Sequence, residues 1–259
     1  MIEKIEELYR DAQLYDDQNS DVTEDLEFWA WAARSYGRPG YPILELGSGS
    51  GRVSINLAEL GYSTIGLDLS PHMIALAKKK IAQGLGSEAG TCEFHRADIR
   101  DFRLHTTFPL IIFPYNSLSH LVSNEDLDRC LQGVLQHLEP RGRFVFSVFL
   151  PLLGLLTRDP QALYPLGTFR DSQEGVPVEL FESMRYDPWN QINHITWYFF
   201  REGQDDPVIQ HLQLRMFFPQ DLEYILRTNG FQVEHRFGDY SRGRIEKDSV
   251  VQALVVQRR

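Results

Sequence analysis

The sequence predicts an α/β protein built on a doubly wound, mostly parallel sheet, and three observations predict it. The apolar run Ile43-Leu44-Glu45-Leu46 breaks into Gly47-Ser48-Gly49-Ser50-Gly51, which describes a buried strand ending in a turn almost free of side chains. A second run, Ser63-Thr64-Ile65-Gly66-Leu67, ends in Asp68, 17 residues after Gly51. Apolar runs then alternate with segments of helical spacing as far as Phe149, after which the period becomes strand-like.

The first βαβ unit carries the chemistry. A helix opening at Arg52-Val53-Ser54-Ile55 aims its N-terminal amides at whatever lies over the glycines. An acid at the tip of the second strand suits a ribose, because one carboxylate accepts from both hydroxyls. The spacing is G-x-G-x-G, however, with Arg52 where the last glycine of the dinucleotide pattern G-x-G-x-x-G falls. Glu45 sets a negative charge beside the turn, a poor place for a pyrophosphate and a good one for a cationic amino-acid group. The ligand read from this is a ribose and an ammonium without a phosphate, which describes S-adenosylmethionine.

The string Glu45-Leu46-Gly47-Ser48-Gly49-Ser50-Gly51, followed by Gly66-Leu67-Asp68-Leu69-Ser70, closely resembles the class I S-adenosylmethionine-dependent methyltransferases. That resemblance implies a Rossmann-like fold and S-adenosylmethionine as methyl donor, with S-adenosylhomocysteine as product. It places Glu45, Gly47, Ser48, Gly49, Gly51, Asp68 and Leu69 around the donor. Ser70-Pro71 opens a capped helix, which sets Met73 where a soft side chain packs on the adenine. Cys92–Arg96 reads as a third strand leading to Ala97-Asp98-Ile99; by resemblance Asp98 accepts from the adenine amino group and the Ile99 amide reaches a ring nitrogen.

A fourth run, Phe108–Phe113, leads into Pro114-Tyr115-Asn116-Ser117-Leu118-Ser119-His120-Leu121. Asn-Ser-x-x-His-Leu is similar to the matching stretch of glycine N-methyltransferases, and its His-Leu end to that of sugar N,N-dimethyltransferases. His120 is therefore the candidate general base or orienting partner of the acceptor. Asn116 and Ser117 are expected to line the site, and Tyr115 to touch the donor. In both groups an N-terminal segment covers the cofactor and brings a tyrosine near the sulfonium; Tyr15 matches it here.

The remaining elements follow in order. An N-terminal helical lid over 1–36, with an acidic amphipathic helix at Met1–Tyr9, precedes a cofactor-binding core over 37–150. The core includes a helix at Glu125–Leu138 and a strand at Arg143–Phe149. An inserted antiparallel β-meander cap over 151–217 has strands at Val176–Arg185, Ile192–Arg201 and Val208–Phe217. Residues 218–259 return a helix and two strands, Phe231–Phe237 and Val250–Gln257, completing a single domain with a seven-stranded sheet. At 259 residues one core is large enough without staples.

Composition narrows the function. Cys92 and Cys130, with no C-x-x-C and no histidine cluster, predict neither a disulfide framework nor a metal site, and the cysteines, with no signal-peptide pattern, predict a cytoplasmic protein. The longest apolar stretch, Phe144–Leu156, is too short to span a bilayer. A net charge of −10 argues against a nucleic-acid partner. Glycine N-methyltransferases carry a carboxylate-gripping arginine where this chain reads Leu150-Pro151-Leu152-Leu153, so an apolar or neutral polar acceptor is expected instead of glycine. The meander aromatics Trp197, Tyr198, Phe199 and Phe200 are read as acceptor wall, as core, or as contact in a homodimer.

The expected reaction is in-line transfer of a methyl group to a nitrogen or oxygen of a small molecule, with no metal because the sulfonium already leaves easily. The acceptor pocket is expected between the Asn116–His120 loop, the lid around Tyr15 and one face of the meander. The alternatives are a donor-binding protein without turnover and a nucleotide-dependent oxidoreductase, the latter disfavoured by the glycine spacing.

Overall fold

Four apolar runs become the centre of a sheet: β1 (Ile43–Leu46), β2 (Thr64–Asp68), β3 (Cys92–Arg96) and β4 (Phe108–Phe113). The structure is a computed structural model describing residues 8–259, so the helix expected at Met1–Tyr9 lies, apart from its last two residues, outside the described residues. With β5 (Leu138–Phe149), β10 (Phe231–Phe237) and β11 (Val251–Arg258), the strands run in the order β10-β11-β5-β4-β1-β2-β3. β1 pairs parallel with both β2 and β4, and β11 runs antiparallel between β5 and β10. The order reverses between β1 and β4. In a doubly wound sheet a crevice opens there, at the carboxyl ends of the strands.

Side-chain alternation builds the two layers. On one face Ile111, Phe113, Phe144, Phe146, Leu254 and Val256 pack under α5 (Asn124–His137) and α7 (Pro219–Thr228). On the other, Leu110, Ile112, Val145, Ala253 and Val255 pack under α2 (Leu26–Tyr36) and α3 (Arg52–Glu59). Every residue of β1 and β4 is buried, because both faces of the sheet are covered there. α4 (Pro71–Ala82) begins as expected: Pro71 sits in the first turn and the Ser70 Oγ accepts from the Met73 N–H at 3.3 Å.

Between β5 and α7 the chain forms a second sheet, β6 (Tyr164–Arg170), β7 (Pro177–Asp187), β8 (Ile192–Arg201) and β9 (Val208–Arg215), antiparallel throughout. Its strands number four where the sequence pattern predicted three. β6 is an edge strand interrupted by a bulge between Pro165 and Gly167 and largely exposed, so it carries no alternating apolar signal. A short helix, α6 (Leu153–Leu156), leads into it.

The helix α1 (Ala12–Gln18) ties the two sheets together. Leu14 packs into the inner face of the meander with Val178, Leu180 and Phe199. On its other side the Lys80 ammonium donates to the Asp16 carboxylate at 2.6 Å, and the Ser50 hydroxyl donates to the same oxygen. Asp17 accepts from the Ser172 N–H at 2.7 Å, so consecutive acids of one helix fasten core and meander.

Candidate active site

The glycine turn closes over the carboxyl end of β1. Gly51 has φ +86°, and a Cβ there would meet Phe94 Cζ at 2.6 Å; its smallness is required by packing. At Gly49 (φ +54°) nothing lies within 4 Å of the Cβ position, and the residue lines a cleft at the β1–β4 switch point. The free space is the ligand's side of the turn. Asp68, at the tip of β2, accepts from the Gly49 N–H and the Ser70 N–H, both at 2.8 Å. Burial raises the Asp68 carboxyl's pKa, and those amides pull it back. A part-buried carboxylate met by two backbone donors, with lone pairs left over, fits a ribose diol.

Gly47, Leu69, Met73, Asp98, Ile99 and Ser117 share the cleft of about 100 Å³. Met73 is buried beneath it. Asp98 is gripped by the Arg100 guanidinium at 2.6–3.1 Å, which holds its carboxyl below the usual range. Three expected donor-site residues, Glu45, Ser48 and Gly51, line neither this cleft nor the larger cavity beside it. Glu45 faces α3, where the Ser54 hydroxyl donates to it; burial pushes its carboxyl up to about 8, with Ser54 and Arg52 pulling back. Ser48 packs on the Gly66 face of β2. Arg52, in the place of a third glycine, turns away to Asp25, which it holds through two bonds at 2.5 and 2.7 Å.

A cavity of about 1090 Å³ lies beside the cleft, and Tyr9, Tyr15 and His120 line both. The lid, the loop after β4 and the inner face of the meander line it, and so does the 238–250 segment between β10 and β11, a wall that the sequence reading did not include. Tyr115 and Asn116 both adopt left-handed backbone, φ +53° and +61°, a strained pair at the end of β4 that sits where sites are built. Tyr115 lines the larger cavity instead of the donor cleft, and its hydroxyl donates to Asn19 Oδ1 at 2.7 Å. Asn116 is buried with Oδ1 unpartnered among the described residues, facing the same cavity.

His120 is fully enclosed, and desolvation lowers its imidazole to about 4, so it is neutral at physiological pH. Its Nε2 lies 2.9 Å from the Tyr9 hydroxyl. Tyr9 meets Tyr15 edge-on with ring centroids 5.2 Å apart, and burial raises the pKa of both phenols. Sequence reasoning missed Tyr9; its only signal was a second tyrosine six residues before Tyr15 in the lid. Of the four meander aromatics, Trp197 alone reaches the cavity, while Phe199 is core and Phe200 packs on Phe181. Leu150 and Leu152 line the cavity, but Leu153 is exposed.

Sheet order, switch-point cleft and strand-tip acid define a nucleoside-binding protein of the doubly wound class. Residues 43–142 match the family model of the methyltransferase domain. The chain is 25% identical over 231 residues to YqeM of Bacillus subtilis (strain 168), itself only provisionally named a methyltransferase, covering 89% of this chain and 88% of that one. It is 28% identical over 100 residues to the dTDP-3-amino-3,4,6-trideoxy-alpha-D-glucopyranose N,N-dimethyltransferase of Streptomyces venezuelae, but that match covers only 39% of either chain. In fold it is similar to an S-adenosylmethionine-dependent methyltransferase from Clostridium acetobutylicum ATCC 824, with a TM-score of 0.76 at 20% identity over 96% of this chain and 97% of that one. Residues 43–142 are a methyltransferase domain, its fold is that of the S-adenosylmethionine-dependent methyltransferases, and S-adenosylmethionine is the methyl donor.

Proposed function

We propose that the methyl group passes to a nitrogen of a small-molecule amine held in the larger cavity, in a cytoplasmic protein. One observation carries this reading: Tyr9, Tyr15 and His120 form the wall common to donor cleft and cavity, so an acceptor there would meet the donor across those three side chains. In this reading Asp68 holds the ribose, Asp98 and Ile99 the adenine edge, Met73 its face, and Gly47, Gly49 and Leu69 the path between. When bound, the sulfonium supplies an electrophilic methyl group with a neutral thioether as leaving group. Tyr9 and Tyr15 exclude water from that region, which favours alignment over hydrolysis. Asn116 Oδ1 accepts from the acceptor's N–H and turns its lone pair inward.

Nitrogen is favoured over oxygen by His120. An imidazole that desolvation lowers to about 4 is too weak a base to strip a hydroxyl, whereas a neutral amine brings its own lone pair. Relatives matching 39–51% of this chain include N,N-dimethyltransferases of amino sugars and a cypemycin N-terminal methyltransferase, and also a ubiquinone biosynthesis O-methyltransferase.

The test is a pH–rate profile of wild type and His120→Ala with amine and phenol acceptors. With an amine the variant should lose about 10²-fold or less in kcat, the loss fading as pH rises and free amine accumulates, while S-adenosylhomocysteine affinity holds. A wild-type preference for phenols, or a loss of cofactor affinity together with stability, overturns the assignment.

A further inference from the structure

The larger cavity has a second polar focus, away from His120, on the inner face of the meander. Glu182 of β7 stands directly opposite Trp197 of β8, and Asn193 lies further along β8. All three line the cavity. Glu182 is only 9% exposed and Asn193 5%. Among the described residues the donor nearest to serving the Glu182 carboxylate is the Trp197 indole N–H. The carboxylate's one ion pair among those residues is a loose 3.8 Å contact with Arg158, whose guanidinium is stacked over Tyr164 at 4.5 Å. The Trp197 indole N–H lies toward Glu182 but off hydrogen-bond geometry, leaving that buried donor unpartnered. Asn193 spends its Nδ2 on the Met184 sulfur at 3.7 Å, and its Oδ1 has no partner among the described residues.

A buried carboxylate with so few donors and a buried amide oxygen with none among the described residues each cost free energy unless a ligand supplies the missing N–H groups. The rest of the cavity wall points the same way. Its charged members besides Glu182 are Glu24, Asp239, Glu246 and Asp248 against Arg244 alone, a field that draws cations inward. The Trp197 ring beside the carboxylate adds an aromatic surface suited to an ammonium.

We propose that Glu182, Asn193 and Trp197 form a subsite for a second, non-reacting ammonium group of the acceptor, so that the preferred substrates are diamines that react through a neutral nitrogen while the other stays protonated. This rests on the acceptor reading of the larger cavity. Glu182 takes the charge, Asn193 Oδ1 accepts one N–H, and the reacting nitrogen is left toward Asn116 and His120. The subsite is a specificity device and takes no part in bond making.

The experiment uses the full chain saturated with S-adenosylhomocysteine and titrates 1,5-diaminopentane and 1-aminopentane by calorimetry. The diamine should bind at least ten-fold more tightly. Glu182→Gln, which keeps the shape and removes the charge, should erase that preference while S-adenosylhomocysteine affinity and melting temperature stay within error. Equal binding of the two amines by wild type, or a preference that survives in Glu182→Gln, overturns the subsite. Failure of both amines to bind, with the homocysteine product still bound, would instead overturn the acceptor reading, and the subsite with it.

Discussion

Asp68 and Glu45 are two carboxylates placed beside the same glycine turn, and their surroundings give them different work. Asp68 is met by two backbone amides at the edge of the donor cleft. Asp68→Ala should weaken S-adenosylmethionine binding by about 1.5–3 kcal/mol in calorimetry, the range for a hydrogen bond to a charged acceptor; unchanged affinity would remove Asp68 from the donor site. Glu45 is met by Ser54, through its hydroxyl and its backbone, and its folded value of about 8 stands above the ordinary 4.5. A raised acid contributes stability that is full below its unfolded value and lost as pH climbs toward the folded one. In the ligand-free protein the stability of Glu45→Gln relative to wild type should therefore increase from pH 5 to pH 8. Denaturant midpoints showing a difference that is flat with pH would refute the burial argument. The sequence could place both acids beside the glycine turn, because strand period and spacing do that. It could not tell that Glu45 turns to α3, since that depends on where helix and strand cross.

At the scale of elements, α1 is the part whose fastening matters most. The donor cleft, at about 100 Å³, is well under the roughly 300 Å³ at which pockets for small ligands begin. A donor that fills the cleft needs more room than this, so the segment carrying Tyr9 and Tyr15 is expected to swing outward when the donor enters or the product leaves. Asp16 is what it swings against, through Lys80 and Ser50. A part-exposed ion pair of this kind is worth about 0.5–1 kcal/mol. Asp16→Ala should thus raise the dissociation rate of S-adenosylhomocysteine about two- to five-fold in stopped-flow measurements, and an unchanged rate would separate the clamp from lid motion. None of this was readable in the chain, because α1 is short and its partners are 34 and 64 residues away along the sequence. The capped start of α4 and the apolar spacing of α5 were readable, because their signals are local.

The whole molecule is two hydrogen-bonded sheets that share one wall. The seven-stranded sheet was legible since each central strand is buried on both faces and announces itself as an apolar run. The meander was legible in β7, β8 and β9, and β6 was not, being an exposed edge broken by a bulge between Pro165 and Gly167. The pairing of Tyr9 with His120, 111 residues apart, is a product of the assembled fold alone.

That shared wall divides the labour of the protein across generations as well as across space. Glu182, Asn193 and Trp197 stand on strands that make no ladder with β1 or β2, so exchanging them leaves the glycine turn and Asp68 undisturbed. An insertion of this kind lets descendants drift toward new partners one side chain at a time while the inherited donor chemistry stays intact. Among the described residues only Tyr9, Tyr15 and His120 belong to both halves, and there a single change is felt on both sides at once. Divergence should therefore be fast on the meander and slow at those three positions.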